Sequence, residues 1–376
     1  MKIVFTGGGS GGHFYPIIAV AQEIDTLVAE KKLLKPKLYY FGPKPFDERA
    51  LLESDIEHYY SSAGKLRNYA SIWNYIDIVK TLWGAVLALI KLFFIYPDVV
   101  FSKGGYASFP TVLAARILRI PVVVHESDAV MGRTNAWTAK FARSVAISYP
   151  ELAKSIPHDR VAHTGNPIRK ELFRPEKEGA FEYLNLEPEV PVILVLGGSQ
   201  GAQAINNAVM DALSELLPKF QVLHQVGDKN ERGVKSRANL ILENNEHKSR
   251  YHVFGLLGAL ALRMAYGATS LVISRAGSGG IFETAAAGLP SIIIPIPRDV
   301  SRDQSTNAFT YARSGAAVVI QQNNLTPHLL SSEIKRIFGN PEEMKKMSEA
   351  AKAFARPDAA RTIAQELINI GIEHES

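Results

Sequence analysis

Glycines, a serine and a histidine crowd one short stretch near the start of the chain, Gly7-Gly8-Gly9-Ser10-Gly11-Gly12-His13. Glycine lets a backbone approach a ligand closely, and the N–H groups of a helix start favour an anion such as phosphate. Gly7, Gly9 and Gly12 fit the G-x-G-x-x-G spacing of a dinucleotide loop. A dehydrogenase would also carry an acid at the end of the second strand to hold a ribose. Here that strand, 37–41, runs into Gly42-Pro43-Lys44-Pro45 without one, which argues against a nicotinamide or flavin enzyme. His13 either contacts phosphate passively or accepts a proton, since imidazole titrates near neutral pH. A second small-residue stretch, Ser274-Arg275-Ala276-Gly277-Ser278-Gly279-Gly280-Ile281-Phe282-Glu283, follows the apolar run 271–273. Its amides could hold a diphosphate. Glu283, expected in the first turn of the helix, either caps it or accepts two ribose hydroxyls. Arg302-Asp303-Gln304-Ser305-Thr306-Asn307-Ala308 offers polar side chains to a sugar or, as a plain helix start, surface caps.

These stretches need strands and helices to aim them. The run 3–5 is apolar, and Ile17, Ile18, Val20, Ala21, Ile24, Leu27 and Val28 recur at helical spacing after Pro16, which is expected to open the first helix. Further strands are expected at 98–102, 121–124, 144–148 and 161–164, with a short helix at 47–52. Their tips, Lys103-Gly104-Gly105-Tyr106, His125-Glu126-Ser127-Asp128 and Gly165-Asn166-Pro167-Ile168-Arg169, are small, polar or charged. Ligands of open parallel sheets lie beyond such carboxyl ends. Residues 166–190, rich in glutamate and proline, read as a linker. Alternation restarts at 191–196 with Gly197-Gly198-Ser199-Gln200-Gly201-Ala202, and strands follow at 220–223, 252–254, 271–273, 291–295 and 317–320. The pattern predicts an α/β chain of two Rossmann-like doubly wound parallel-sheet domains, 1–165 and 191–356. Arg356-Pro357-Asp358 breaks the chain before a last helix at 359–370.

The chain has 376 residues, 47% of them hydrophobic and 21% charged, as in a folded soluble protein. It has no cysteine, which excludes disulfides, thiolate metal sites and cysteine nucleophiles. The net charge of +5 suits anionic substrates or lipid and is far from a nucleic-acid footprint. The first strand begins at once, so no secretion signal is expected. Residues 65–96 are unusual. Leu66, Tyr69, Trp73, Ile76, Val79, Trp83, Leu87 and Ile90 keep a helical period, flanked by Lys65, Arg67, Lys80 and Lys91. The apolar run 82–96 falls short of the roughly 20 residues that span a bilayer. It reads as a helix packed on the sheet, as a basic-rimmed apolar patch for an anionic membrane surface, or as both on different faces.

Taken together, residues 6–13, 104–110, 125–128 with Thr134-Asn135, 165–169, 196–202, 274–290 and 303–308 resemble, in order along nearly the whole chain, the family 28 glycosyltransferases of GT-B fold. Within that family the resemblance is to the peptidoglycan enzymes that move N-acetylglucosamine from UDP onto undecaprenyl-diphospho-N-acetylmuramoyl-pentapeptide. It implies two domains facing across a cleft, the final helix 357–376 crossing back to the first, and a peripheral protein on the cytoplasmic face of the inner membrane. That location gives Trp73, Lys80, Trp83, Leu87, Ile90 and Lys91 a membrane-facing role. It implies that Glu283 binds the ribose, that Gly277, Ser278, Gly279 and Gly280 with Ser199 hold the diphosphate, and that Gln304 contacts the sugar. Arg169 reaches the nucleotide, and Ser10, Gly11, Gly12 and His13 face the donor sugar and the acceptor diphosphate. Asp128, Asn135 and Asp303 are further candidate donor contacts. Two positions depart from the family's pattern: Ser127-Asp128 stands where many members have Gln-Asn, and Gly280 where many have a hydroxyl residue.

The implied chemistry is direct displacement with inversion, His13 accepting the proton and His125 the runner-up. No Asp-x-Asp ends a strand as a metal–diphosphate clamp, so no cofactor is expected. Helix N-termini and Arg169 are expected to meet the leaving charge. The rival readings are another GT-B transferase with a lipid acceptor, a UDP-N-acetylglucosamine 2-epimerase-like isomerase, and a non-catalytic nucleotide-binding scaffold.

Overall fold

A computed structural model describes residues 1–64, 72–173, 175–198, 201–297, 299–300 and 304–375, with the backbone alone at 72–74 and 375. Its contacts divide the chain into two units, Met1–Arg169 with Arg356–Ser376, and Lys170–Ala355. In the first, β1 (Lys2–Thr6), α1 (Gly11–Lys31), β2 (Lys37–Gly42), α2 (Glu48–Glu53), β3 (Ile56–Tyr60), α3 (Ile72–Ile95) and β4 (Val99–Ser102) lead into a second half. That half runs α4 (Phe109–Ile117), β5 (Val122–Glu126), α5 (Arg133–Thr138), β6 (Ser144–Ile147) and β7 (Val161–His163). Among the described residues the strands form one parallel sheet in the order β3-β2-β1-β4-β5-β6-β7. Ile3, Phe5, Val99, Phe101 and Val123 are fully buried on one layer, and Val4, Val100 and Val122 on the other. Continuous apolar strands are what a sheet covered on both faces requires.

The second unit comprises α6 (Ala180–Tyr183), β8 (Val192–Leu196), α7 (Gln203–Leu216), β9 (Gln221–Gln225), α8 (Asp228–Ile241), β10 (Tyr251–Phe254) and α9 (Ala259–Ala268). It continues through β11 (Leu271–Ser274), α10 (Ser278–Ala286), β12 (Ser291–Ile293), α11 (Gln304–Arg313), β13 (Ala317–Val319), α12 (Pro327–Phe338) and α13 (Pro341–Phe354). Its parallel sheet runs β10-β9-β8-β11-β12-β13, the same winding as the first. In each unit the strand order reverses between two central neighbours, β1 and β4 or β8 and β11, and the crevice beyond their carboxyl ends is where doubly wound sheets bind ligands.

The structure departs from the sequence reading at five places. The edge strand β3 was not expected: its sequence Ile56-Glu57-His58-Tyr59-Tyr60 buries only Ile56 and so lacks an apolar run. Pro16 does not open α1 but lies inside it, where its missing N–H leaves the Gly12 carbonyl without its usual partner. β5 continues through His125 and Glu126, which the sequence placed beyond the strand. The segment 170–190 is not a free linker. Glu176 pairs with Arg263 at 2.8 Å, Glu187 with Arg250 at 2.8 Å, and Gln221 donates to the carbonyls of Glu187 and Val190, all within the second unit. Glu176 and Glu187 are anchors, which composition alone could not distinguish from solvated charge.

The fifth departure concerns α3. Tyr75–Ile95 is 21 residues long and apolar enough to cross a membrane. Its place in the fold gives it another role. It is the crossover between β3 and β4, which lie in one sheet, so both ends stay on the same side of any bilayer. Ala88 and Leu92 are buried on the sheet beside Val4 and Val100. Trp83 is 61% exposed, Phe93 63% and Phe94 78%, and Ile90 is exposed, with Lys80 and Lys91 exposed among them; Leu87 is half-buried. The side chain of Trp73 lies outside the described residues.

The final helix, α14 (Ala359–Glu375), packs on α1 of the first unit, burying Ile363, Ala364, Leu367 and Ile368 against Ile17, Ile24 and Val28. Leu367→Ala should destabilise this unit by about 2–5 kcal/mol. In urea unfolding the transition of the first unit should move and that of the second should not.

Candidate active site

The first site loop is built by β1 ending in an anchored threonine. Thr6 Oγ1 donates to the Phe41 carbonyl at 2.8 Å, and the Lys103 amide donates to the Thr6 carbonyl at 2.8 Å. Beyond it the chain turns so tightly that a Cβ on Gly7 would stand 3.1 Å from Ile17 and 3.2 Å from Lys103 Cβ. α1 then starts at Gly11 with Ser10 as its N-cap residue, yet Ser10 gives no side-chain cap. Its hydroxyl is turned instead to His13 Nδ1, 2.9 Å away. Gly9, Ser10 and Gly12 are exposed and Gly11 half-buried; the amides of Ser10 and His13 bond to the Gly8 and Ser10 carbonyls, which leaves those of Gly11 and Gly12 to meet a ligand.

The half-buried ring of His13 leans on the two glycine turns. A Cβ on Gly8 would lie 3.4 Å from Nδ1, and one on Gly105 3.4 Å from Nε2. Desolvation and the charge of Lys103 pull its pKa from 6.5 to about 4, so the imidazole is neutral near pH 7. When Ser10 Oγ accepts from Nδ1–H, Nε2 carries a bare lone pair, which is what a proton acceptor needs.

His125 does not share that position. It is fully buried in β5, its Nε2 donates to the Gly165 carbonyl at 2.9 Å, and burial holds its pKa well below 6.5. A base must reach the reacting hydroxyl, so His125 is corrected to a core histidine. Asn135 is buried too; its amide donates to the His125 carbonyl at 3.1 Å and to Glu126 Oε2 at 2.9 Å. It shapes the end of β5, and its Oδ1 is buried without a hydrogen-bond partner among the described residues. Asp128 is half-buried at that tip, its amide donating to Glu126 Oε1 at 3.0 Å. Arg169 lays its guanidinium 3.9 Å from the centre of the Tyr15 ring, a cation–π contact, with Nε buried and unpartnered. Tyr15 was missed as a site residue, while Lys103 and Asn307 were named within their stretches without individual roles.

In the second unit α10 starts at Ser278 with Gly277 as N-cap and no side-chain cap. A Cβ on Gly277, Gly279 or Gly280 would meet open space, so this turn faces outward, while Ser278 is buried. Glu283 is not in the first turn, which holds no acid. It lies half-buried in the second turn, too far along to cap the helix. Arg275 Nη1 donates to the Ile294 carbonyl at 3.1 Å and buried Asn307 to the Ala276 carbonyl at 3.1 Å, pinning the loop. Gln304 opens α11, its Oε1 accepting from the Ile296 amide at 3.2 Å. α7 likewise begins without a cap, after Gly198 and Gly201, whose φ angles are 78° and 75°. Ser199 and Asp303 lie outside the described residues.

A model described as the glycosyltransferase family 28 N-terminal domain matches residues 3–147, and one described as the family 28 C-terminal domain matches 192–363. The Treponema pallidum protein named UDP-N-acetylglucosamine--N-acetylmuramyl-(pentapeptide) pyrophosphoryl-undecaprenol N-acetylglucosamine transferase is 36% identical, over 97% of this chain and 94% of its own length. The protein of the same name from Treponema denticola is 34% identical over 96% of each. The chain belongs to glycosyltransferase family 28. Among solved structures, Acinetobacter baumannii MurG shares the fold at a TM-score of 0.72, with 24% identity over 98% of this chain and 99% of that one. A UDP-GlcNAc 2-epimerase from Neisseria meningitidis, bound to UDP-GlcNAc, shares it at 0.70, with 16% identity over 98% and 100%. The two parallel-sheet units are those of the GT-B fold, and the chain is a glycosyltransferase.

For a family 28 enzyme the contact between Gly105 and His13 is a sensitive one. Gly105 has φ of 80°, and a Cβ there would press on Gly8 Cα at 3.2 Å as well as on His13. Gly105→Ala should cut the transfer rate about tenfold or more through a misplaced imidazole, with the far-UV circular dichroism spectrum unchanged.

Proposed function

We propose that this glycosyltransferase moves N-acetylglucosamine from UDP-N-acetylglucosamine to the muramoyl sugar of undecaprenyl-diphospho-N-acetylmuramoyl-pentapeptide, a step of peptidoglycan synthesis. The observation that carries the mechanism is the neutral, reachable imidazole of His13 at the uncapped start of α1. A hydroxyl oxygen of the acceptor sugar attacks the anomeric carbon of the donor, the bond from that carbon to the diphosphate oxygen breaks, and the configuration inverts. The hydroxyl proton passes to His13 Nε2, and UDP departs with the bonding electrons. Glu283 accepts the ribose hydroxyls, the Gly277–Gly280 turn and Ser199 donate to the diphosphate, and Gln304 and Asp303 hold the sugar. Arg169, free to exchange its ring contact for an anion, opposes the charge that develops on the leaving group. No metal is needed in this scheme.

Radiolabelled transfer from UDP-N-acetylglucosamine to the lipid-linked muramoyl acceptor tests the reading. Product is expected with that acceptor and not with diacylglycerol. Conversion of UDP-N-acetylglucosamine without any acceptor would instead mark an epimerase. In His13→Ala the transfer rate should fall about 10²–10⁴-fold, while calorimetry finds UDP affinity unchanged; an undiminished rate removes His13 from the mechanism.

The acceptor is a membrane lipid, and α3 supplies the means of reaching it. Its exposed Trp83, Ile90, Phe93 and Phe94 enter the acyl boundary of the cytoplasmic leaflet while Lys80 and Lys91 meet anionic headgroups. Replacing both Trp83 and Ile90 with Glu should reduce co-sedimentation with phosphatidylglycerol vesicles by about tenfold or more. Transfer to a water-soluble short-chain acceptor should survive, and vesicle binding equal to that of the unmodified protein would refute the surface.

A further inference from the structure

The scheme above leaves unused the one charged side chain buried between the two glycine turns of the first unit. Lys103 is only 1% exposed. A buried ammonium is costly unless its charge is matched or put to use. Its backbone N–H is fixed by Thr6, and its stem runs beneath the first glycine turn, Cβ to Cβ 3.2 Å from where a side chain on Gly7 would begin. Nζ donates to Ser127 Oγ, which donates in turn to Asn166 Oδ1 at 3.4 Å. Glu126 is turned elsewhere, accepting from the amides of Asp128 and Gly132 and from Asn135. The ring of His13 stands against Gly8, which follows the Gly7 that the lysine stem underlies, and against Gly105, two residues after the lysine.

We infer that Lys103 is a positioning residue for His13, its buried ammonium acting through the Gly7-Gly8 turn to hold the imidazole in its proton-accepting form. The inference deepens the proposed mechanism and rests on His13 being the proton acceptor there. Ser10 on its own helix bonds the His13 ring, and Lys103 and His125 lie within electrostatic reach of it; Tyr40 on β2 bonds the Gly7 carbonyl, the Tyr106 hydroxyl stands 3.9 Å from where a Cβ on Gly9 would be, and Glu126 and Asp128 at the end of β5 act on Lys103. Lys103 is the cation that acts on the ring, in the same direction as its burial. Glu126 and Asp128 act on Lys103 itself, opposing the burial that brings its pKa down to about 8. The sign follows. A cation disfavours the imidazolium, so removing it raises the proton affinity of His13 and moves its titration toward the ordinary value.

The test uses the full chain with ¹³C-labelled histidine, the His13 resonance being assigned by its loss in His13→Gln. In Lys103→Met the His13 midpoint should rise by about one unit, and the acid limb of kcat/KM should rise with it. Lys103→Arg should restore both. In the unmodified protein the His13 resonance should show a second inflection near pH 8, as Lys103 itself loses its proton; this needs no variant and decides the matter if Lys103→Met does not fold. An unmoved midpoint in folded Lys103→Met, or no inflection near pH 8 in the unmodified protein, overturns the inference. A midpoint that moves while the rate profile stays fixed supports the coupling and removes His13 as the base, so the two readings fail separately.

Discussion

A strand that feeds directly into a helix leaves the first N–H groups of that helix without partners, and something must satisfy them. This chain answers in two ways. Away from the strand tips, Asp47, Thr326 and Asn340 cap α2, α12 and α13 by accepting from the amides of Ala50, Leu329 and Glu343. At the two reversal points α1, α7 and α10 begin with Ser10, Ala202 and Gly277 and receive no side-chain cap, as is also true of α4, α5, α6, α8 and α9. A cap contributes about 1 kcal/mol, so each bare start forgoes stability that α2, α12 and α13 retain. The case of Ser10 is the most telling, because a good capping residue is present and its hydroxyl is spent on His13. What remains at these starts is a set of oriented donors that favour negative charge.

The histidines show how one side chain takes two kinds of work. His224 in β9 donates from Nε2 to Asn206 Oδ1 at 3.1 Å and accepts at Nδ1 from the Tyr251 hydroxyl at 2.8 Å. Burial lowers its pKa to about 3, and with both nitrogens engaged it is a neutral strut. His13 is also neutral at pH 7 but has one ring nitrogen bonded and the other facing the Gly105 turn. Both pKa values lie below 6.5, so the unfolded chain binds more protons as pH falls from about 6.5, and stability falls with it. The structure therefore favours neutral to alkaline pH, where the His13 lone pair is available.

Much of the fold was legible because it is written in period and punctuation. Continuous apolar runs of four or five residues, each ended by glycine or a polar cluster, located the central strands, and two glycine loops of the same plan indicated two units wound alike. What was not legible has identifiable causes. β3 is an edge strand whose outward residues include Glu57 and His58, so no apolar run marks it. Glu283 was placed one turn early because nothing in Gly277-Ser278-Gly279-Gly280 says which residue opens the helix. His125 follows three valines on a strand, and a polar residue at such a point reads as a tip. Only the Gly165 carbonyl, forty positions on, makes it a core group. The burial of Lys103, named only as part of a strand tip, escaped for the related reason that burial of a charge depends on neighbours distant in sequence.

The placement of His13 depends in the end on residues at the far end of the chain. Catalytic groups must be held to within a fraction of an ångström by elements that are themselves locked. α1 carries the imidazole in its first turn, and α1 is fixed on one face by the sheet and on another by α14. At the α14 contact Arg361 pairs with Glu30 at 2.5 Å and Lys31 with Gln365 at 2.6 Å, but both are exposed and contribute little. The buried contacts of Ile363, Ala364, Leu367 and Ile368 with α1 contribute far more. Gly371 completes the fit, since a Cβ there would collide with the Met1 side chain beside β1. The last helix is therefore more than a terminal appendage: by seating α1 against β1 it sets where the Ser10–His13 pair stands relative to the glycine turn.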